Sequence, residues 1–448
     1  VNIYPNKEKI SGGAEIAKQK SKLEYDVLVI GGGISGQESA LNVAESGHTV
    51  LLVEKDLSIG GKMIHLSKVF PTLDCAACIA TPKVSETARH PNITIFTGSE
   101  VKDIEKSSAG SFKGILVKKP RYVDAQACTG CQDCEDACPV IIEDQYQYNL
   151  VGRKAVFVPF SIANPRVAAI DIDNCSLCGA CERVCPANAI DFKQEIEEIP
   201  FDVKSVIIAT GFNLFDPTVI ERYGFGKFKN VITSMQMERQ LVPTRPFNNV
   251  LRPKDGKVPD KIAYVLCTGS RDQVIGNPIC SQVCCMYSTK QAQLLMGALP
   301  MADVTLYYID IRAFGKGFDE FYRQSTEMGV KFIKGKIGEI QEIDNGDLVL
   351  KYEDIVTSTL KKAKHDLVVL SVGILPNPDI KKIFKNNDLE LDTYGYVKQI
   401  EILENPARTN IDGVFVAGTA SGPMDIPDSI SSAGAAAAVA ASYLRRMQ

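Results

Sequence analysis

Residues 25–54, YDVLVIGGGISGQESALNVAESGHTVLLVE, leave few folds open. An apolar strand over 27–30 runs into Gly31, Gly33 and Gly36 at G-x-G-x-x-G spacing, then a small-residue helix and a second strand ending on Glu54. The first two glycines allow a tight turn and close backbone approach to a pyrophosphate, and Gly36 lets helix and strand pack. The helix N-terminus offers free N–H groups and a positive dipole end to phosphates. Glu54 can accept hydrogen bonds from a ribose. A lone glycine pattern is weak, but strand, helix, strand and acid in order predict a bound dinucleotide. The competing reading is a glycine turn that only packs.

Downstream segments favour FAD over NAD. Gly60 and Gly61 follow the second strand, as in flavoproteins of the glutathione and thioredoxin reductase superfamily, and VIIATG at 206–211 resembles that superfamily's strand-plus-ATG motif. GVFVAGTASG at 413–422 resembles its final flavin-contacting segment, with Thr419 where Asp is usual. A hydroxyl can still donate or accept there. Asp428 and Ser429 are expected at a helix start, which can stabilise negative charge on a reduced flavin ring. The expected flavin contacts are Gly31, Gly33, Ile34, Ser35 and Gly36 in the first loop, and Glu54, Lys55, Gly61, Lys62 and Met63 after the second strand. Val101, Ala209, Thr210, Gly211, Gly418, Thr419, Ile426, Asp428 and Ser429 complete the set.

Between the first flavin segment and VIIATG lie two copies of C-x2-C-x2-C-x3-C-P. One is Cys128, Cys131, Cys134 and Cys138; the other is Cys175, Cys178, Cys181 and Cys185. This is the bacterial ferredoxin run, in which three close thiolates hold one [4Fe–4S] cube and the fourth reaches the other. One cluster then takes Cys128, Cys131, Cys134 and Cys185, and the other takes Cys175, Cys178, Cys181 and Cys138. Zinc also accepts CxxC pairs, but the doubled spacing with Cys-Pro endings argues against it. The segment joining the runs is a longish connection that either decorates the ferredoxin or touches a partner.

Two cysteine groups are harder to read. In CTGSRDQVIGNPICSQVCC, Cys267, Cys280, Cys284 and Cys285 stand where a two-nucleotide flavoprotein would carry an NAD(P) loop. A third cluster, a redox-active thiol pair and inert buried thiols are all open from spacing alone. Cys75 and Cys78, in LDCAACI, read as a redox pair, as ligands of another site, or as packed thiols.

Composition narrows the class. The chain has 448 residues, 45% hydrophobic and 23% charged, which suits two to four domains. A formal charge of −4 gives no reason to expect nucleic acid or anionic lipid as a partner. No apolar run approaches the ~20 residues of a membrane span, and the polar N-terminal stretch lacks a signal peptide's apolar core. A cytoplasmic protein is the expectation, and there fourteen cysteines point to metal or redox chemistry rather than a disulfide framework.

These residues together resemble the heterodisulfide reductase HdrA-type flavoproteins, the iron-sulfur and FAD component of that enzyme. The likeness runs through GGGISG, FPTLDCAACIATPK, RHPNI, KPRYVDAQACTGC, IDNCSLCGACERVCPANAID, NVITSMQMER, the 267–287 segment, IDIRAFGKGFDEFYR and GPMDIPDSI, in order and over nearly the whole chain. The resemblance implies an α/β fold: two thioredoxin-reductase-like Rossmann domains with an inserted α+β two-cluster ferredoxin. It implies that Cys267, Cys280, Cys284 and Cys285 ligate an unusual [4Fe–4S] cluster, and that Lys290 and Glu238 lie near the flavin's reactive edge as catalytic residues. A cationic lysine there would stabilise an anionic reduced ring. It also implies electron bifurcation or confurcation at FAD. The implied partners are disulfide-reducing and iron-sulfur subunits, a hydrogenase- or dehydrogenase-linked donor and ferredoxin, around a homodimer.

The expected organisation is an N-terminal arm at 1–24, FAD-domain pieces at 25–120, 201–260 and 376–448, a ferredoxin insert at 121–200, and a second Rossmann-like domain at 261–375. Long family members carry further terminal domains, so a shortened version without their clusters is the expectation. Two other functions compete. One is a non-bifurcating relay of a sulfur- or quinone-linked complex. The other is an NAD(P)H oxidoreductase of the glutamate-synthase small-subunit type, against which residues 267–285 count.

Overall fold

Alternating apolar runs and small-residue helices build two mixed, largely parallel sheets, seen in a computed structural model that describes residues 22–108, 110–244, 246–384 and 389–447. Residues 1–21 of the expected arm lie outside the described residues. The first unit is β1 (Leu23–Ile30), α1 (Ile34–Glu45), β2 (Val50–Val53), α2 (Ala76–Arg89), β3 (Ile93–Phe96), β4 (Ser99–Lys106) and β5 (Phe112–Lys118). β2 is buried at every position and β1 along its C-terminal half, the continuous apolar pattern of a sheet covered on both faces.

The chain then leaves this sheet for a small cysteine-rich body. It holds α3 (Asp133–Asp136), β6 (Ile141–Glu143), β7 (Gly152–Lys154), β8 (Val156–Phe157), β9 (Ala169–Ile170) and α4 (Ala180–Val184). The hairpins β6–β7 and β8–β9 frame a core in which Cys134, Cys138 and Cys181 are buried among Val123, Val156 and Ile170.

β10 (Glu197–Ile208) returns to the first sheet, whose order is β3-β2-β1-β10-β5-β4. β10 runs parallel to β1 and shares its other edge between antiparallel β5 and, near its C-terminal end, β20 (Val414–Val416). The chain closes with α8 (Ile426–Met447), whose buried alanines pack on α1 and the sheet.

The second sheet contains β12 (Val231–Thr233), β13 (Lys261–Thr268), β14 (Asp303–Tyr308), β15 (Lys331–Glu342), β16 (Leu348–Asp354), β17 (Thr359–His365) and β18 (Leu367–Val372). Its order is β12-β18-β13-β14-β15-β16-β17, parallel up to β15. Helices α5 (Ser234–Leu241), α6 (Cys284–Ala298) and α7 (Phe318–Glu327) accompany it, and β11 (Asn213–Leu214) pairs with β19 (Ile374–Leu375) at the crossing. The second body therefore begins earlier than residue 261. β12 finds its backbone partners on β18, so 231–241 belong with the second sheet rather than with a flavin piece ending at 260. No described helix is long and apolar enough to cross a membrane.

Candidate functional site

The dinucleotide loop lies where β1 ends. Gly31 has φ +107°, and a Cβ on Gly36 would fall 1.8 Å from the Gly31 carbonyl oxygen, so a side chain at either is incompatible with the turn. Gly33 caps α1 with no side-chain hydrogen bond, leaving Ile34 and Ser35 in a first turn whose N–H groups suit phosphate. Glu54 is buried, and its carboxylate is already engaged: Gly32 N–H donates to Oε2 at 2.6 Å and Asp56 N–H to Oε1 at 2.9 Å. Burial, with Asp56 beside it, pushes its pKa up to about 7. Each oxygen keeps lone-pair capacity for a ribose hydroxyl.

The other flavin segments converge on this loop. Ala209 N–H donates to the Ile30 carbonyl at 2.9 Å, and Thr210 and Gly211 follow, a Cβ on Gly211 lying 4.0 Å from Thr419 Oγ1. Gly418 N–H donates to Ser432 Oγ at 3.1 Å, and Ser35 Oγ–H donates to the Ser429 carbonyl at 3.4 Å, tying α8 to α1. Asp428 sits in the first turn of α8, its N–H donating to Asp425 Oδ1 at 2.9 Å. Ile34, Met63 and Ile426 share an apolar cluster with Ile64 and Ala76. Gly61 packs its backbone against Gly33, and Lys62 stands 5.1 Å over the Phe212 ring. Burial, helped by the neighbouring Lys55, lowers the Lys62 pKa. Lys55 itself is exposed, and Val101 is buried two residues beyond Ser99, whose N–H donates to the Glu54 carbonyl. An open helix N-terminus, close glycines and an apolar patch fit FAD.

The cysteine runs are brought together crosswise. One pocket is lined by Cys128, Cys131, Cys134 and Cys185, and another by Cys138, Cys175, Cys178 and Cys181. Each thus receives three cysteines from one run and the fourth from the other. Each set offers four thiols in ferredoxin spacing. That donor set fits a cube better than a mononuclear ion. Burial raises the Cys134 pKa to about 12, with Cys128 adding to the effect. A resident metal must offset that, because the ligand is the thiolate.

Cys267, Cys280, Cys284 and Cys285 also gather. Cys267 is the penultimate residue of β13, with φ +59°, while Cys284 and Cys285 open α6, where successive side chains diverge around the helix. Burial raises the pKa of Cys267, Cys284 and Cys285, the last to about 12, and each feels charge on others of the four. Arg271 contacts both Cys267 and Asp310, and the Asp310 carbonyl lies 3.7 Å from Cys285 Sγ. A Cβ on Gly269 would fall 2.0 Å from Phe215, so the loop is filled by its own chain.

Cys75 and Cys78 are joined in a disulfide at the start of α2. The other twelve cysteines are free.

Lys290 and Glu238 meet each other rather than standing as separate charges. Lys290 Nζ donates to Glu238 Oε1 at 2.5 Å and to the Lys68 carbonyl at 2.8 Å, while Ser67 N–H and Oγ–H both donate to Glu238 Oε2. Gln291 also donates to Glu238. Burial alone would raise the Glu238 pKa, but Lys290 and these donors hold it below its ordinary value. The pair spans α5 and α6 on one side and the segment after Met63 on the other.

Several functional neighbours were not singled out from sequence. Arg239, next to Glu238, donates to Gln147 Oε1 at 2.9 Å and the His65 carbonyl at 3.0 Å, with its guanidinium 4.4 Å over Tyr146. Gln236 donates to the Tyr148 carbonyl, and His65 packs against Tyr146 and Tyr148. The connection between the cysteine runs is thereby docked on the flavin segment of its own chain. Its pair of tyrosines was the only hint. Burial and Arg239 lower the His65 pKa to about 4.

Comparison with known proteins agrees with this arrangement. Residues 151–438 match the family profile described as pyridine nucleotide-disulphide oxidoreductase, and 26–74 match FAD dependent oxidoreductase. Lactococcus lactis thioredoxin reductase aligns with a TM-score of 0.53 at 15% identity, covering 94% of this chain and 99% of that one, a likeness of fold alone. The fold and loop define a two-Rossmann, flavin-type oxidoreductase.

The chain is 42% identical over 443 residues to the iron-sulfur A component of CoB–CoM heterodisulfide reductase from Methanocaldococcus jannaschii, covering 96% of this chain and 67% of that protein. It is 42% identical over 427 residues to the A component of the H(2):CoB-CoM heterodisulfide,ferredoxin reductase of Methanothermobacter thermautotrophicus, covering 94% and 65% respectively. The chain belongs to the HdrA family, the A components of heterodisulfide reductase. It spans about two thirds of the length of these two relatives.

Proposed function

We propose that this chain is an electron-transfer subunit of a heterodisulfide-reductase-type complex in the cytoplasm. It holds FAD and three [4Fe–4S] clusters, and electron pairs are split or merged at the flavin between protein partners. FAD takes electrons in pairs and each cube takes one, which is the chemistry the bound groups supply. The observation that carries the reading is the crossed lining of two cavities by four cysteines each. The clustered Cys267, Cys280, Cys284 and Cys285 support a third site, in the place an NAD(P) loop would use. The partners are disulfide-reducing and iron-sulfur subunits, a hydrogenase- or dehydrogenase-linked donor and ferredoxin, around a homodimer.

Lys290 and Glu238 act in this reading as one unit that sets the field at the flavin edge. Their mutual neutralisation favours a second reading, a relay that passes electrons without splitting pairs, because a paired ammonium offers less to a reduced ring than a free one.

Iron and flavin analysis of protein purified without oxygen tests the cofactor content: about 12 iron per flavin supports three cubes and about 8 removes the third. An anaerobic optical titration tests the chemistry. Loss of both flavin electrons in a single step supports splitting, and two well-separated one-electron steps support the relay. Flavin reduction by NADH alone would overturn the loss of the nicotinamide site.

A further inference from the structure

One redox-capable pair is left unused by this reading. Residues 67–76 form a hairpin: Lys68 and Cys75 bridge antiparallel, Val69 N–H donates to the Asp74 carbonyl at 2.9 Å, and Ala76 N–H to the Ser67 carbonyl at 3.3 Å. Cys75 then caps α2, a helix of 14 residues, and its sulfur accepts the Cys78 N–H at 3.2 Å. The two are joined as a disulfide, with Cα atoms 5.2 Å apart. Cys78 is exposed and Cys75 half-buried. The adjacent Ala76 is fully buried against Met63 and Ile64, so the disulfide sits at the rim of the flavin-side apolar cluster.

We propose that Cys75 and Cys78 form a thiol–disulfide exchange site for low-molecular-weight thiols, with attack at Cys78 and Cys75 as the leaving group. An attacking thiolate must reach one sulfur from solvent, and only Cys78 is exposed. The departing sulfur leaves more readily when its thiolate is stabilised, and Cys75 has both an N–H donor and the positive end of α2. In the first step a thiolate RS⁻ forms a bond to Cys78 Sγ, the Cys75–Cys78 bond breaks, and Cys75 departs as thiolate. A second RS⁻ then attacks the R-bearing sulfur of the mixed disulfide, RSSR forms, and Cys78 is released as thiolate. The two protons of the original thiols end on Cys75 and Cys78. Two electrons have passed from two RSH to the pair, with no other co-reactant. The opposite arm of the hairpin carries Ser67 and Lys68, the residues that receive Glu238 and Lys290, so the exchange site lies one hairpin from the buried ion pair. The proposal does not depend on whether electron pairs are split at the flavin.

The test uses the oxygen-free holoprotein with its disulfide intact. It is exposed to graded 2-mercaptoethanol, quenched in acid, capped with N-ethylmaleimide and mapped by peptide mass spectrometry. The expected result is a transient mercaptoethanol adduct on Cys78 in about tenfold or greater excess over Cys75, followed by double maleimide labelling. An adduct mainly on Cys75, or a pair that stays unlabelled while an exposed reference disulfide is reduced, overturns the proposal. Cys75→Ser given the oxidised mercaptoethanol disulfide should trap the adduct on Cys78 at unchanged iron and flavin content. Loss of iron from that variant would instead make the pair cluster ligands and also overturn it.

Discussion

Lys290 and Glu238 lie 2.5 Å apart with each side chain 1% exposed, joining α6 to α5 and both to Ser67 and Lys68 of the flavin segment. A charge pair this deep is expensive to break. Glu238→Gln leaves the Lys290 ammonium buried without its counter-ion, and should cost about 3–5 kcal/mol, read as a lower urea midpoint at pH 7. Lys290→Met combined with Glu238→Leu should recover most of that loss, because the pair is removed whole. The Glu238 pKa is depressed in the folded state. Its contribution is therefore present above the unfolded value of about 4.3 and is lost as pH falls through the folded one, so the double variant should show a shallower acid limb.

Arg239 holds the insert connection through Gln147 and Tyr146 and the flavin segment through the His65 carbonyl. Arg239→Met keeps volume but removes both hydrogen bonds. The expected outcome is faster amide exchange at residues 144–149 and a stability loss of about 2–4 kcal/mol, with the sheet strands unaffected.

His65 is held neutral by burial and by Arg239, with its pKa lowered to about 4. A histidine that protonates only in the unfolded chain makes stability rise with pH between its folded value and about 6.5. His65→Phe should flatten the melting temperature over that window, measured between pH 5 and pH 7.

The crossed cavities make a sharp prediction about iron. Cys185→Ala should disturb the cluster of Cys128, Cys131 and Cys134, although Cys185 follows the second run, and Cys138→Ala should disturb the cluster of Cys175, Cys178 and Cys181. Each should lower iron by up to about four per chain, and paramagnetic resonance of the reduced variants should show which signal survives. An uncrossed result would refute the assignment of both cavities.

Gly36→Ala places a Cβ 1.8 Å from the Gly31 carbonyl oxygen. Neither backbone can retreat without opening the loop, so flavin content should fall at least about tenfold, measured from the absorbance of released flavin against protein.

Local patterns carried much of this protein. The glycines at 31, 33 and 36, the apolar strands and the two cysteine runs act through backbone conformation and spacing, and these are written in consecutive residues. The two-Rossmann fold was legible for that reason, as was the pairing rule that crosses Cys138 and Cys185 between runs. The edge at Val231–Thr233 was not, because a three-residue strand has too little pattern and is defined only by its partner β18. Nor was the engagement of Glu54 with the Gly32 N–H legible, nor the seating of Tyr146 under Arg239. The sequence by itself determined the long strands and helices and which residues have the chemistry to hold dinucleotide and iron. Tertiary structure alone decided that Lys290 and Glu238 neutralise each other, that the insert connection clasps its own flavin segment, and that Cys75 and Cys78 join on that segment's hairpin. Burial and pairing across distant elements govern charge and contact, and no local spacing encodes them.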